Sequence, residues 1–146
     1  MIFTGIDCAT SSAYQCPSDF EVTYLSRSTL IDYETKIVIT AGEIRFYHKD
    51  RQHNDAIEET HPTDPTTINN LYHYLDSVKF LAMTSPKREV VLDAPDERIS
   101  ATYQGRSNTV EFGGVRNLAD QISTLRKRLF AIADTSSPRW QKEVPH

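Results

Sequence analysis

Apolar and polar positions alternate along several stretches of this chain and recur every three or four residues along two others. Phe20-Glu21-Val22-Thr23-Tyr24 alternates with the period of a strand that has one buried face. Residues 35–40 are β-branched and apolar, and residues 43–48 alternate again, with Ile44 and Phe46 on one side. Between them Ala41-Gly42 offers a tight turn, since glycine can take the positive φ that a hairpin or its bulge uses. The pattern predicts a hairpin of residues 36–40 and 43–48.

Residues 49–63 are polar and aperiodic, which predicts a long connection. Then Asp64 can cap a helix and Pro65 suits its first position. Ile68, Leu71, Tyr72, Leu75 and Val78 form one apolar stripe, so a helix is expected to about Lys79. The second half repeats this order. Residues 89–92 read as a short strand ended by the turn-forming Asp93-Ala94-Pro95-Asp96. Ile99, Ala101 and Tyr103 alternate, Gln104-Gly105-Arg106-Ser107 turns the chain, and Val110 and Phe112 share a face. Asn117 is the expected cap of a second helix, with Asp120 completing a capping box. Leu118, Ile122, Leu125, Leu129 and Ile132 make its stripe, and Arg126-Lys127-Arg128 lies toward its C-terminal end.

Tight turns impose antiparallel neighbours, and two one-sided helices need an apolar sheet face. The expected fold is α+β: a two-layer sandwich, antiparallel sheet with two helices on one face, order β-β-β-α-β-β-β-α. The domain is expected over residues 20–134, with an N-terminal arm at 1–19 and a flexible C-terminal tail at 135–146 begun by Thr135-Ser136-Ser137-Pro138. No deep recess is expected between helices and sheet.

Composition narrows the function. The chain has 146 residues, enough for one domain with a real core. With 38% hydrophobic and 25% charged residues it falls inside the globular range. Sixteen Lys and Arg against twenty Asp and Glu give a net charge of −4, which argues against nucleic acid as a partner. No apolar run approaches the roughly 18 residues of a membrane span. Residues 1–19 carry no Lys or Arg and do not read as a secretory signal. A trimmed N-terminus would look the same, so cytoplasmic and exported locations both stay open. Cys8 and Cys16 fit neither a redox pair nor a zinc knuckle; a local disulfide and two free thiols are both open readings.

Signatures of catalysis are missing. There is no glycine-rich phosphate loop, no Gly-x-Ser-x-Gly elbow and no His-Glu-x-x-His pair, and no cofactor is implied. The unusual segment is 48–61, with His48, His53, His61 and the carboxylates Asp50, Asp55, Glu58 and Glu59. Imidazoles and carboxylates together could hold a divalent metal, but the spacing matches no metal site; a charged excursion or a partner-binding loop is the alternative. Asp93, Asp96 and Glu97 read as turn residues rather than an acid–base pair. Trp140, the only tryptophan, could dock onto the domain or anchor a partner. The seven tyrosines favour a binding surface if they lie exposed on a sheet face.

The strand at Phe20–Tyr24, the helix ending Leu75-Asp76-Ser77-Val78-Lys79-Phe80-Leu81, the hairpin over 98–112 and the closing helix over 118–129 carry a pattern-level likeness. Together they resemble the small bacterial α+β domains typified by emfourin, a proteinaceous inhibitor of thermolysin-type metallopeptidases. That resemblance implies a compact inhibitor fold and a peptidase partner; it assigns no inhibitory residue. The sequence therefore points to a non-enzymatic protein-binding module, an inhibitor or immunity-type protein, with His53, Asp55, Glu58, Glu59, His61 and Trp140 as binding residues. The alternatives are a metal-assisted hydrolase using His48, His53, Asp55 or His61, and a domain that self-associates into a homodimer through a sheet edge or face.

Overall fold

A computed structural model describes residues 15–51, 56–88 and 93–145. Strands β1 (Glu21–Ser28), β2 (Tyr33–Thr40), β3 (Glu43–Lys49) and β4 (Ile57–Pro62) run as an antiparallel meander. Helix α1 (Pro65–Ser77) and a 3-10 turn (Phe80–Ala82) carry the chain to the hairpin β5 (Asp96–Tyr103) and β6 (Arg106–Glu111). Helices α2 (Asp120–Ser136) and α3 (Pro138–Glu143) close the domain. The strand order is β4-β3-β2-β1-β5-β6, so the connection through α1 returns from one edge to pair β5 beside β1. The class is α+β, as the alternation requires.

Strand pleating explains where the core sits, because alternate side chains point to opposite faces. Val22, Tyr24, Ile37, Ile39, Ile44, Phe46, Ile57, Ile99, Ala101 and Val110 share one face through the observed register. Against them lie Ile68, Leu71 and Leu75 of α1, and Ile122, Leu125, Leu129, Phe130 and Ala133 of α2. Burying each Leu or Ile contributes roughly 1.5–3 kcal/mol, so these rows hold the layers together. Val38 is the exception: it is buried yet lies outside this cluster, among polar neighbours on the opposite face. That face carries the hydroxyl pairs Ser100–Thr109 (2.8 Å) and Thr102–Ser107 (2.7 Å).

The β2–β3 hairpin and the α1 start match the pattern; Asp64 Oδ2 accepts from Thr67 N at 3.1 Å, with Pro65 in the first turn. The β5–β6 turn uses Gln104 (φ 54°) and Gly105 (φ 71°), both left-handed as a two-residue primed turn demands. Asp19 ties it down, accepting from Gln104 N (3.0 Å) and Gly105 N (2.8 Å). Gly42, by contrast, does not take positive φ.

Several expectations need correction. The predicted loop over 49–63 contains β4, so the first half has four strands, and the observed order is β-β-β-β-α-β-β-α-α. The strand expected at 89–92 lies outside the described residues. Helix α2 begins at Asp120 behind Ala119, with no side-chain cap, rather than at Asn117. The C-terminal segment is no loose tail. Ser137 ends α2 and caps α3, its Oγ accepting from Trp140 N at 3.1 Å, and Trp140 and Val144 enter the core. Residues 15–19 are likewise tied in: Cys16 N donates to Asn69 Oδ1 (3.0 Å) and Phe20 N to Pro17 O (3.0 Å). Burial pushes the Cys16 thiol pKa up, and its pairing with Cys8 is a reading that falls outside the described residues. Cys8 lies outside the described residues.

Candidate binding groove

The residues picked from segment 48–61 scatter. His53 and Asp55 lie outside the described residues. Glu58 points away from the core, across from Tyr47 on the open sheet face. Trp140 is fully buried, its ring centroid 4.7 Å from that of Phe46 and 6.3 Å from those of His48 and Phe130. It is therefore a core residue and no surface anchor. His48 and His61 both face the helices, but His48 pairs with Ile57, four residues along β4 from His61. At about 3.3 Å per residue that separation is about 13 Å, too far to share one ion. Among the described residues no group of three His, Cys, Asp or Glu could hold a metal.

His48 belongs to a polar row inside the sandwich. Ser26, Thr35, His48 and Glu97 occupy matched positions on β1, β2, β3 and β5. Thr35 Oγ1 lies 2.8 Å from His48 Nδ1, and His48 Nε2 lies 3.0 Å from Asp50 Oδ2. Because Asp50 accepts, the Nε2 proton is donated there and Nδ1 accepts from the threonine. Ser26 Oγ meets Tyr33 OH at 2.6 Å. Tyr24 OH donates to Glu97 Oε2 (2.6 Å), and Arg126 Nε donates to the same oxygen (3.1 Å). Burial, then the neighbouring Glu97 carboxylate, pushes the Tyr24 phenol well above its usual range. The row reads as satisfied interior polarity, since Ser26, Thr35 and His48 are all buried.

A different set of residues frames a recess. Where β4 ends, His61, Pro62 and Thr63 face the first turn of α1 (Asp64, Thr67) and the last turns of α2 (Ala131, Ile132, Thr135, Ser136). They enclose a groove of about 560 Å³ with a mainly apolar lining. A smaller hollow of about 210 Å³ adjoins it, sharing Thr67, Ala131 and Ile132 and adding Arg128. After Ile57 the inward positions of the edge strand β4 are the polar Glu59 and His61.

The groove's polar groups are firmly oriented. His61 Nε2 donates to Glu59 Oε1 (2.7 Å), while Glu59 Oε2 accepts from Ser137 Oγ (3.0 Å). The His61 ring stacks on Phe46 with centroids 5.6 Å apart. Thr67 Oγ1 donates to Asp64 Oδ2 (3.0 Å), Thr135 Oγ1 to Ala131 O (2.9 Å) and Ser136 Oγ to Ile132 O (2.9 Å). Thr63 Oγ1 is buried without a partner among the described residues. The neighbouring Arg128 guanidinium is turned aside, 4.4 Å over the Tyr74 ring. Glu59 and His61 were legible as candidates; Thr63, Asp64, Thr67, Thr135 and Ser136 were not, because the groove joins positions some seventy residues apart.

No model of a known protein family matches the chain, and a search of curated proteins yields no significant match.

Proposed function

We propose that this protein is a non-enzymatic protein-binding module whose contact site is the groove between β4, α1 and α2. The observation that carries this reading is the groove itself: concave, largely apolar, and rimmed by a few fixed hydrogen-bonding groups, the usual make-up of a recognition site. The oriented hydroxyls Thr67, Thr135 and Ser136 have spent their protons on internal acceptors, so none is poised as a nucleophile. An inhibitor role against a thermolysin-type metallopeptidase follows from the resemblance to emfourin-type domains and is the first partner assay to run.

The test compares wild type with Ala131→Tyr, which fills the groove from an exposed position on α2. A specific protein retained from the source organism's extract, or a peptidase inhibited, by wild type and not by Ala131→Tyr supports the reading. Equal behaviour of the two proteins, or turnover in a broad hydrolase screen, overturns it.

A metal-assisted hydrolase using His48, His53, Asp55 or His61 is the second reading, and of these His61 lines the groove. Stoichiometric metal after chelator-free purification would support it. Self-association through the β4 edge has less behind it. Thr63 N donates to Gly42 O, which turns the backbone of residues 58, 60 and 62 outward, and there Pro62 has no N–H to offer while Glu58 adds charge.

A further inference from the structure

The chemistry of the groove specifies its occupant. Four of its polar side chains have already committed their protons inward: His61 to Glu59, Thr67 to Asp64, Thr135 to Ala131 O and Ser136 to Ile132 O. What the hydroxyls present to the recess is lone pairs, and His61, whose Nε2 donates to Glu59, turns its Nδ1 edge to the same space. Asp64 adds a carboxylate, and Glu59 stands behind His61. Among the described residues no lysine or arginine lines the groove, and Arg128 in the adjoining hollow is held over Tyr74. Pro62, Ala131 and Ile132 supply an apolar wall. Apart from the Thr63 hydroxyl, which has no partner among the described residues, the groove's polar side chains offer acceptors, and with a negative charge and an apolar wall they match a cationic head on an aliphatic stem.

We propose that the groove binds an arginine or lysine side chain of a partner protein, the stem against Pro62, Ala131 and Ile132 and the cation toward Asp64 and the acceptor ring. This rests on the binding-module reading and names the partner's chemistry. An apolar or acidic side chain would leave these acceptors unpaired or repel the carboxylates, so selectivity follows from the same groups.

The experiment titrates the intact protein with blocked peptides Ac-Gly-X-Gly-NH2, where X is Arg, Lys, Leu or Glu, following backbone amide NMR shifts. The expected result is saturable shifts at residues 61–67 and 131–136 with Arg and Lys, and none with Leu or Glu. Asp64→Asn, which keeps the helix cap, is expected to weaken Arg binding by about fivefold, the scale of one partly exposed ion pair. Thr135→Lys, at an exposed position, places an ammonium at the mouth and is expected to abolish it. Equal shifts from the Leu peptide would overturn the basic-side-chain assignment while leaving the binding-module reading intact. Shifts elsewhere, or Asp64→Asn binding as wild type does, would overturn it too. So would putrescine binding more tightly than the Arg peptide, by making the groove a small-amine site. The module reading fails separately, if Ala131→Tyr retains every partner that wild type retains.

Discussion

Two imidazole–carboxylate pairs face the helical layer, each made by residues two apart on or beside a strand, and they do opposite things. His48–Asp50 closes at 3.0 Å with the imidazole 1% exposed; its other nitrogen meets Thr35, and Trp140 stands over the ring. His61–Glu59 closes at 2.7 Å with the imidazole 36% exposed, one nitrogen spent on Glu59 and the other open to the groove. Each joins an imidazole to a carboxylate two positions away. What differs is cover: β3 is an interior strand beneath α3, while β4 is an edge strand whose His61 end opens on the groove. A histidine beside a carboxylate is therefore architecture where both nitrogens and the ring faces are spoken for, and available chemistry only where one is left over.

Removing the cover should have the largest effect. Trp140→Ala empties a fully buried site against Phe46, His48 and Phe130, and is expected to cost about 3–5 kcal/mol in urea denaturation. A loss under about 1 kcal/mol would mean that α3 is an appendage and that His48 is covered by something else. Next comes His48→Phe. It keeps a ring but strips the acceptor from the buried Thr35 hydroxyl and the N–H from Asp50, so about 2–4 kcal/mol is expected.

The two regions also differ in how much of them could be read from the chain. The buried end was legible where pattern was strong: residues 36–48 alternate through Ile37, Ile39, Ile44 and Phe46, and Asp64-Pro65 announces α1. Strand β4 was not, because Ile57 is its one inward apolar residue, and an edge strand lining a groove has no reason to alternate. The last helix is too short at six residues for a periodic stripe, although Ser137-Pro138 repeats the cap-and-proline signal of Asp64-Pro65. The groove's rim depends on where α2 lands against α1, which no local pattern encodes.

Tyr24 extends the buried end and gives it a pH signature. Its phenol donates to Glu97, and burial next to that carboxylate raises its pKa in the folded state. A proton held more tightly when folded stabilises fully below the unfolded value, about 10, and that contribution is lost as pH rises from there toward the folded value. Wild-type stability should therefore fall as pH rises above about 10, and Tyr24→Phe should fall less steeply. At neutral pH the substitution is expected to cost about 1–2 kcal/mol for the lost hydrogen bond. Parallel pH profiles would show that Tyr24 is not the group responsible.

The smallest stability effect belongs to His61→Phe, the same exchange made at the open pair. The new ring can keep the stack on Phe46, Glu59 keeps Ser137, and the site is already partly solvated, so a change within about 0.5 kcal/mol is expected. Binding should respond where folding does not: with the Nδ1 lone pair gone, the Arg peptide should bind several-fold more weakly, while the Leu and Glu peptides still fail to bind. Set beside His48→Phe, this exchange separates the two pairs directly. If both variants lose comparable stability, His61 is as structural as His48 and the groove loses its ring of acceptors. If His61→Phe is as stable as wild type and binds Arg unchanged, the imidazole is a bystander and Asp64 alone must account for any preference for cations.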